Sequence, residues 1–162
     1  MKKISMVAFA ATALMAMSCS DDDSSNSVAL SGKWKLTKIT TDQAFDGNDD
    51  GTASKDLIAE TGQCWTATYL EFLANNEAIN FLSTPWLGNE CYTAETEGTY
   101  AVDGNSVVVS STDEEGESSD FELTKTGNKL KSYVPDFYEV EVTVGGETQT
   151  VSVAATLEFT KE

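Results

Sequence analysis

The chain contains no histidine and no arginine. Without an imidazole it has no Ser/His/Asp or Cys/His nucleophile system and no histidine-ligated zinc site. Basic surface is equally scarce, with 10 lysines against 27 acidic residues and a formal charge of −17. Such a chain repels phosphate backbones and anionic bilayer surfaces, which excludes nucleic acid as a partner. Long apolar runs are also missing. The longest, Ile4 to Met17, has 14 residues, short of the roughly 20 that a membrane-crossing helix needs. A carboxylate pair of the glycoside-hydrolase kind is the one catalytic arrangement left open. Among 27 acids, however, the closeness of any two says little. No catalytic residue is assigned, and the chain is read as a non-enzyme that requires no cofactor.

Residues 1–18, MKKISMVAFAATALMAMS, open with Lys2 and Lys3, continue as the apolar run and finish on small residues ahead of Cys19. That is the layout of an export leader. Ala16, Met17 and Ser18 before a lone cysteine resemble the end of a bacterial lipoprotein signal peptide, with Ala16 in place of the usual leucine. The resemblance implies a lipid thioether on Cys19 and, through that lipid, the membrane as a partner of the chain. Residues 19–29 then form a tether, because SDDDSSNS (Ser20 to Ser27) has nothing apolar to bury. A serine and acidic run behind the lipid cysteine also resembles the export signal of surface lipoproteins in the Bacteroidetes, which implies display on the outer membrane. Loss of the leader removes two lysines and leaves 8 against 27 acids, a formal charge of −19.

Cys64 and Cys91 remain. An even pair in an exported domain predicts one disulfide, with two buried free thiols as the alternative.

Residues 30–162 have the size of one domain. Short β-branched or aromatic runs, each ended by a turn signal, recur along it. LSGKWKLTKIT carries Trp34, Leu36 and Ile39. WTATYLEFL, from Trp65 to Leu73, turns at Asn75-Asn76 into AINFL. EGTYAV and SVVVSS join through Asp103-Gly104-Asn105, Glu114-Glu115-Gly116 leads to DFELTKT, and Gly127-Asn128 leads to KLKSYV. The closing hairpin pairs YEVEVTV with TVSVAATLEFT across Gly145-Gly146, and Val151, Val153, Ala155, Leu157 and Phe159 alternate with polar or small neighbours. One short helix is expected over 56–61. Eight or nine antiparallel strands in sequence-adjacent hairpins predict an all-β, up-and-down barrel, with a two-sheet sandwich as the alternative.

Gly32-Lys33-Trp34 at the start of the first strand resembles the G-x-W motif of lipocalins. Together with the leader, the acidic D-x-N-x-D-G loop, Cys64, LEF at Leu70 to Phe72, the YAVDGN turn and the closing LEFTKE, it makes the chain similar to the lipocalin-like lipoprotein domains of the Bacteroidetes. The resemblance implies a barrel that binds one small apolar ligand in its open mouth. Trp34, Tyr69, Phe81, Tyr100, Phe121 and Tyr133 are the candidate pocket residues, with Phe137 also inward. A filled interior is the alternative for an eight-stranded barrel. A second reading has the loops bind a protein or a host or cell-surface glycan, with Trp65 and Trp86 as stacking platforms. The protein is expected to be a monomer.

In DGNDDGTASKD, Asp46, Asn48 and Asp50 place oxygens at alternate positions before Gly51, the spacing of the first half of a calcium loop. Thr52 offers its carbonyl, and Asp56 or Glu60 could complete the shell. Leu57 occupies the twelfth position, where an EF-hand has glutamate, and no helix precedes the loop, so a true EF-hand is rejected. A structural calcium ion remains the expectation.

Overall fold

The computed structural model describes residues 29–86, 90–112, 116–144 and 147–162. The leader, Cys19, the tether up to residue 28 and the Gly145-Gly146 turn lie outside the described residues, as do Glu114 and Glu115. The elements run β1 (Gly32–Phe45), β2 (Ser54–Asp56), α1 (Leu57–Thr61), a 3₁₀ turn (Gln63–Ala67), β3 (Tyr69–Phe72), β4 (Glu77–Pro85), β5 (Cys91–Asp103), β6 (Ser106–Thr112), β7 (Ser118–Thr126), β8 (Lys129–Val144) and β9 (Glu147–Lys161). All strand pairs are antiparallel, in the order β2-β1-β3-β4-β5-β6-β7-β8-β9, and β1 also pairs with β9. That last pairing closes eight strands into a barrel and leaves β2 as an extra strand on the far half of β1. One continuous closed sheet replaces the sandwich alternative.

Turn chemistry sets the hairpins. Asn75 and Asn76 both have φ near 62°, a region that asparagine tolerates better than most side chains. Gly104 and Gly127 take φ of 58° and 59° in the two-residue turns that follow.

Two irregularities explain where simple alternation fails. In β1 the register against β9 shifts between Leu36 and Lys38, so Trp34 and Leu36 are followed inward by Ile39 and Thr41. In β8 it shifts between Val134 and Tyr138. Pro135 lies inside that shift and offers no N–H to a ladder, as expected at a bulge. KLKSYV and YEVEVTV are therefore one bent strand of 16 residues, not two.

The expected strand from Trp65 to Leu73 also needs correction. Only Tyr69–Phe72 is extended, while Gln63–Ala67 coils as a 3₁₀ turn whose Thr68 N–H bonds back to the Trp65 carbonyl. The Cys64–Cys91 disulfide, with its Cα atoms 5.5 Å apart, fastens this turn to β5.

The core fills the end of the barrel where β1 begins. Trp34, Leu36, Leu70, Phe72, Val107, Leu123, Leu130 and Phe159 are all buried there. Trp34 donates its indole N–H to the Leu30 carbonyl at 2.6 Å, and the Lys161 ammonium sits 5.5 Å from its ring centroid. This end is sealed.

Candidate functional site

The opposite end is filled on one side only. Leu57 of α1 and Trp65 of the 3₁₀ turn are buried and join the core. The Trp65 ring lies tilted 5.4 Å from Phe137 and edge-on 6.0 Å from Tyr138, both at the β8 bulge. Burial raises the Tyr138 phenol above its ordinary pKa. Across the barrel, towards the mouth of β4 to β7, most inward positions carry small or polar side chains, with Leu82 packed against the core. Cross-strand register puts Asn80 opposite Thr96, Leu82 opposite Ala94, Gly98 opposite Ser111, and Ser111 opposite Ser119, on the same face as Ala78 and Val109. Thr96, Gly98 and Ser111 remain half-buried and Ser119 is exposed, although all four face the interior. Below them lie Tyr100, edge-on to Phe72 at 5.0 Å, and Phe121, edge-on to Phe159 at 6.3 Å. The site is thus a cup with an aromatic floor and a thin hydroxyl-bearing wall.

A second opening lies in the side of the barrel. β7 and β8 pair only through Thr124–Thr126 with Lys129–Lys131. Just beyond that short ladder is a notch of about 320 Å³ lined by Glu122, Leu123, Ser132 and Tyr133 among others.

Of the six pocket residues suggested by sequence, Tyr100 and Phe121 line the cup. Trp34 is a fully buried part of the sealed end. Tyr69 and Phe81 leave the outer wall instead of entering the barrel. They pair with each other across β3 and β4, stacked at 5.0 Å under the Lys33 ammonium, because Leu70 and Phe72 take the inward positions of β3. Tyr133 is likewise outward and 60% exposed, since Leu130 and Ser132 are the buried positions of β8. Its hydroxyl donates to Asp42 at 3.1 Å, and that bond to a carboxylate holds the phenol above its usual pKa. Alternation on β5 carried the signal for the residues that were missed. Glu95 and Glu97 are exposed, which assigns Ala94, Thr96 and Gly98 to the inner face.

The acidic loop braces itself. Asp46 accepts the Asp50 and Gly51 N–H groups at 3.1 and 2.8 Å, Asn48 accepts the Asp50 N–H at 3.0 Å, and Asp50 accepts the Thr52 N–H at 2.8 Å. Asp56 caps α1 by accepting from Ile58 and Ala59. The buried Glu60 accepts the Gly47 N–H at 2.9 Å. Gly47 passes so close to the Phe45 ring that an added Cβ would lie 2.7 Å from it. Among the described residues no group of three or more acidic or cysteine side chains is gathered to hold a metal ion.

The model of the lipocalin-like domain family matches residues 30–132, well over half of the 162-residue chain. The chain belongs to this lipocalin-like family. The match stops in β8 at the buried Ser132, and the strand that closes the barrel on β1 comes after it. Domains of this family typically bind ligands and do not catalyse reactions. No curated protein and no solved structure matches the chain.

Proposed function

We propose that the chain is a non-catalytic binding protein, lipid-anchored through Cys19 on the outside of the outer membrane, that holds a small, largely apolar ligand in the mouth of its barrel. The observation that carries this reading is the partial solvent access of Thr96, Gly98 and Ser111, which strand register turns inward above Tyr100 and Phe121. Small residues above an aromatic floor suit a ligand whose apolar part rests on the rings while a polar end meets the Ser111 and Ser119 hydroxyls.

A neutral, environment-sensitive fluorescent probe such as N-phenyl-1-naphthylamine tests the cup. Binding should be lost in Thr96→Phe, which fills the cup, and kept in Tyr69→Ala and Tyr133→Ala, which alter only the outer wall. Binding that survives Thr96→Phe would move the ligand elsewhere. The anchor has its own test: labelled palmitate should enter the wild-type protein in its host and fail to enter Cys19→Ser.

A further inference from the structure

The outer wall over β1, β3, β4 and β5 carries its charges in order. Trp34 and Leu36 on β1, Leu70 and Phe72 on β3, and Ala78 on β4 are buried inside, so the residues between them point out. Unbroken register then aligns two outward rows across the four strands, Lys33–Glu71–Ile79–Glu97 and Lys35–Tyr69–Phe81–Glu95. Each row begins with a lysine and ends with a glutamate. Between these ends, Tyr69 and Phe81 stack with ring centroids 5.0 Å apart and planes 10° apart, and Ile79 lies on the same face of β4 as Phe81. All three are half-buried. An aromatic and aliphatic centre bordered by charge is the layout of a contact surface.

The charges at the border lack partners within the chain. Lys33 reaches Glu71 at 3.9 Å and sits 3.8 Å from the Tyr69 ring centroid. Among the described residues Lys35, Glu95 and Glu97 form no ion pair. They cannot reach one another either, since β1 and β5 are separated along the wall by three strand spacings, about 14 Å. A two-fold axis passing through the wall between β3 and β4 supplies what is missing. It lays β1 of one copy over β5 of the other, as an isologous contact requires. Lys35 then faces the partner's Glu97, Lys33 faces the partner's Glu95, and Tyr69 faces the partner's Ile79. Phe81 meets the partner's Glu71, whose charge Lys33 already offsets. The acidity of the chain opposes self-association. At physiological ionic strength, however, exposed charges more than about 8 Å apart are largely screened, whereas pairs in contact are screened less.

We infer that this wall is the interface of a weak two-fold dimer of the chain, held by the Tyr69–Phe81 centre and by reciprocal Lys35–Glu97 and Lys33–Glu95 pairs. The monomer expected from sequence leaves this pairing out, because only the strand register brings the two lysines and two glutamates onto one wall. The two rows are small beside the roughly 20–30 residues a side of a standard interface, so the dissociation constant should be on the order of 100 μM.

Sedimentation equilibrium of the full-length processed protein in a density-matched non-ionic detergent, from about 10 to about 500 μM, tests the dimer. Wild type should pass reversibly from monomer to dimer over that range. Lys35→Glu and Glu97→Lys should each weaken the association about tenfold, by setting like charges face to face. Both side chains are exposed, so each variant should melt close to wild type. An equimolar mixture of the two variants should recover the association, because every facing pair in the mixed dimer again has opposite signs. Monomer at every concentration, association indifferent to either reversal, or a mixture no more associated than its separate components would each overturn the assignment.

Discussion

Glu60 and Gly47 form the tightest local arrangement in the mouth. The glutamate is buried, and its carboxylate accepts the Gly47 N–H. Glu60→Ala leaves that donor without its acceptor and should cost about 1–3 kcal/mol in a denaturant titration, whereas Glu60→Gln keeps an acceptor oxygen and should cost less. The loop that Glu60 holds already uses its side-chain oxygens on its own N–H groups. A carboxylate that accepts one or two N–H groups keeps lone pairs for a cation, so we propose that millimolar calcium raises the melting temperature and that Asp50→Ala removes the rise. An unchanged curve would end the calcium reading. At the sealed end, hydrogen bonds from Lys129 chiefly, and from Lys131, hold the Glu158 carboxyl below its ordinary pKa of 4.5, partly opposed by desolvation. A depressed folded-state pKa stabilises the protein above the unfolded value and loses that contribution as pH falls through the folded one. The melting-temperature gap between wild type and Glu158→Gln should thus be full at neutral pH and shrink progressively below about pH 4.5.

At the scale of elements, the disulfide does more than close a loop. It joins the 3₁₀ turn that carries the buried Trp65 to the first residue of β5. With its ends 27 positions apart in sequence, the chain-entropy model gives about 3.5 kcal/mol for its removal. Cys64→Ala/Cys91→Ala should lower the denaturant midpoint accordingly, and Trp65 emission should shift to longer wavelength as the turn loosens. Sequence foretold most strands because their turns carry Asn-Asn, Gly-Asn or Asp-Gly-Asn and their runs alternate. It failed where tertiary forces overrode propensity. Trp65–Ala67 reads as strand from its aromatic and β-branched residues, but the disulfide and the burial of Trp65 against Phe137 hold it coiled. Tyr69, Phe81 and Tyr133 read as inward because they are aromatic. Which face is the core is decided by the neighbours Leu70, Phe72 and Leu130, and a one-residue difference in phase reverses every assignment. Thr96 and Ser111 escaped notice for the converse reason: nothing about a small polar residue announces that it lines a cup.

For the whole molecule, closure is uneven. β1 and β9 lock over a long register, while β7 and β8 share three residue pairs. Amides of Ser118–Leu123 that face away from β6 should exchange with deuterium faster than those of β9 between Ala155 and Phe159, as weakly paired edges do. Equal protection across the two would show that the notch is closed in solution. That the strands form one closed ring was readable from their number and hairpin order; that one seam is short was not, because no residue type marks where the β7–β8 ladder stops.

The lysine that bonds the carbonyls of Ala29 and Ser31, and the indole that bonds Leu30, pin the incoming chain to the plugged pole of the molecule. The described chain thus enters at the plugged pole, so whatever lies upstream is joined to the molecule at the end opposite the mouth.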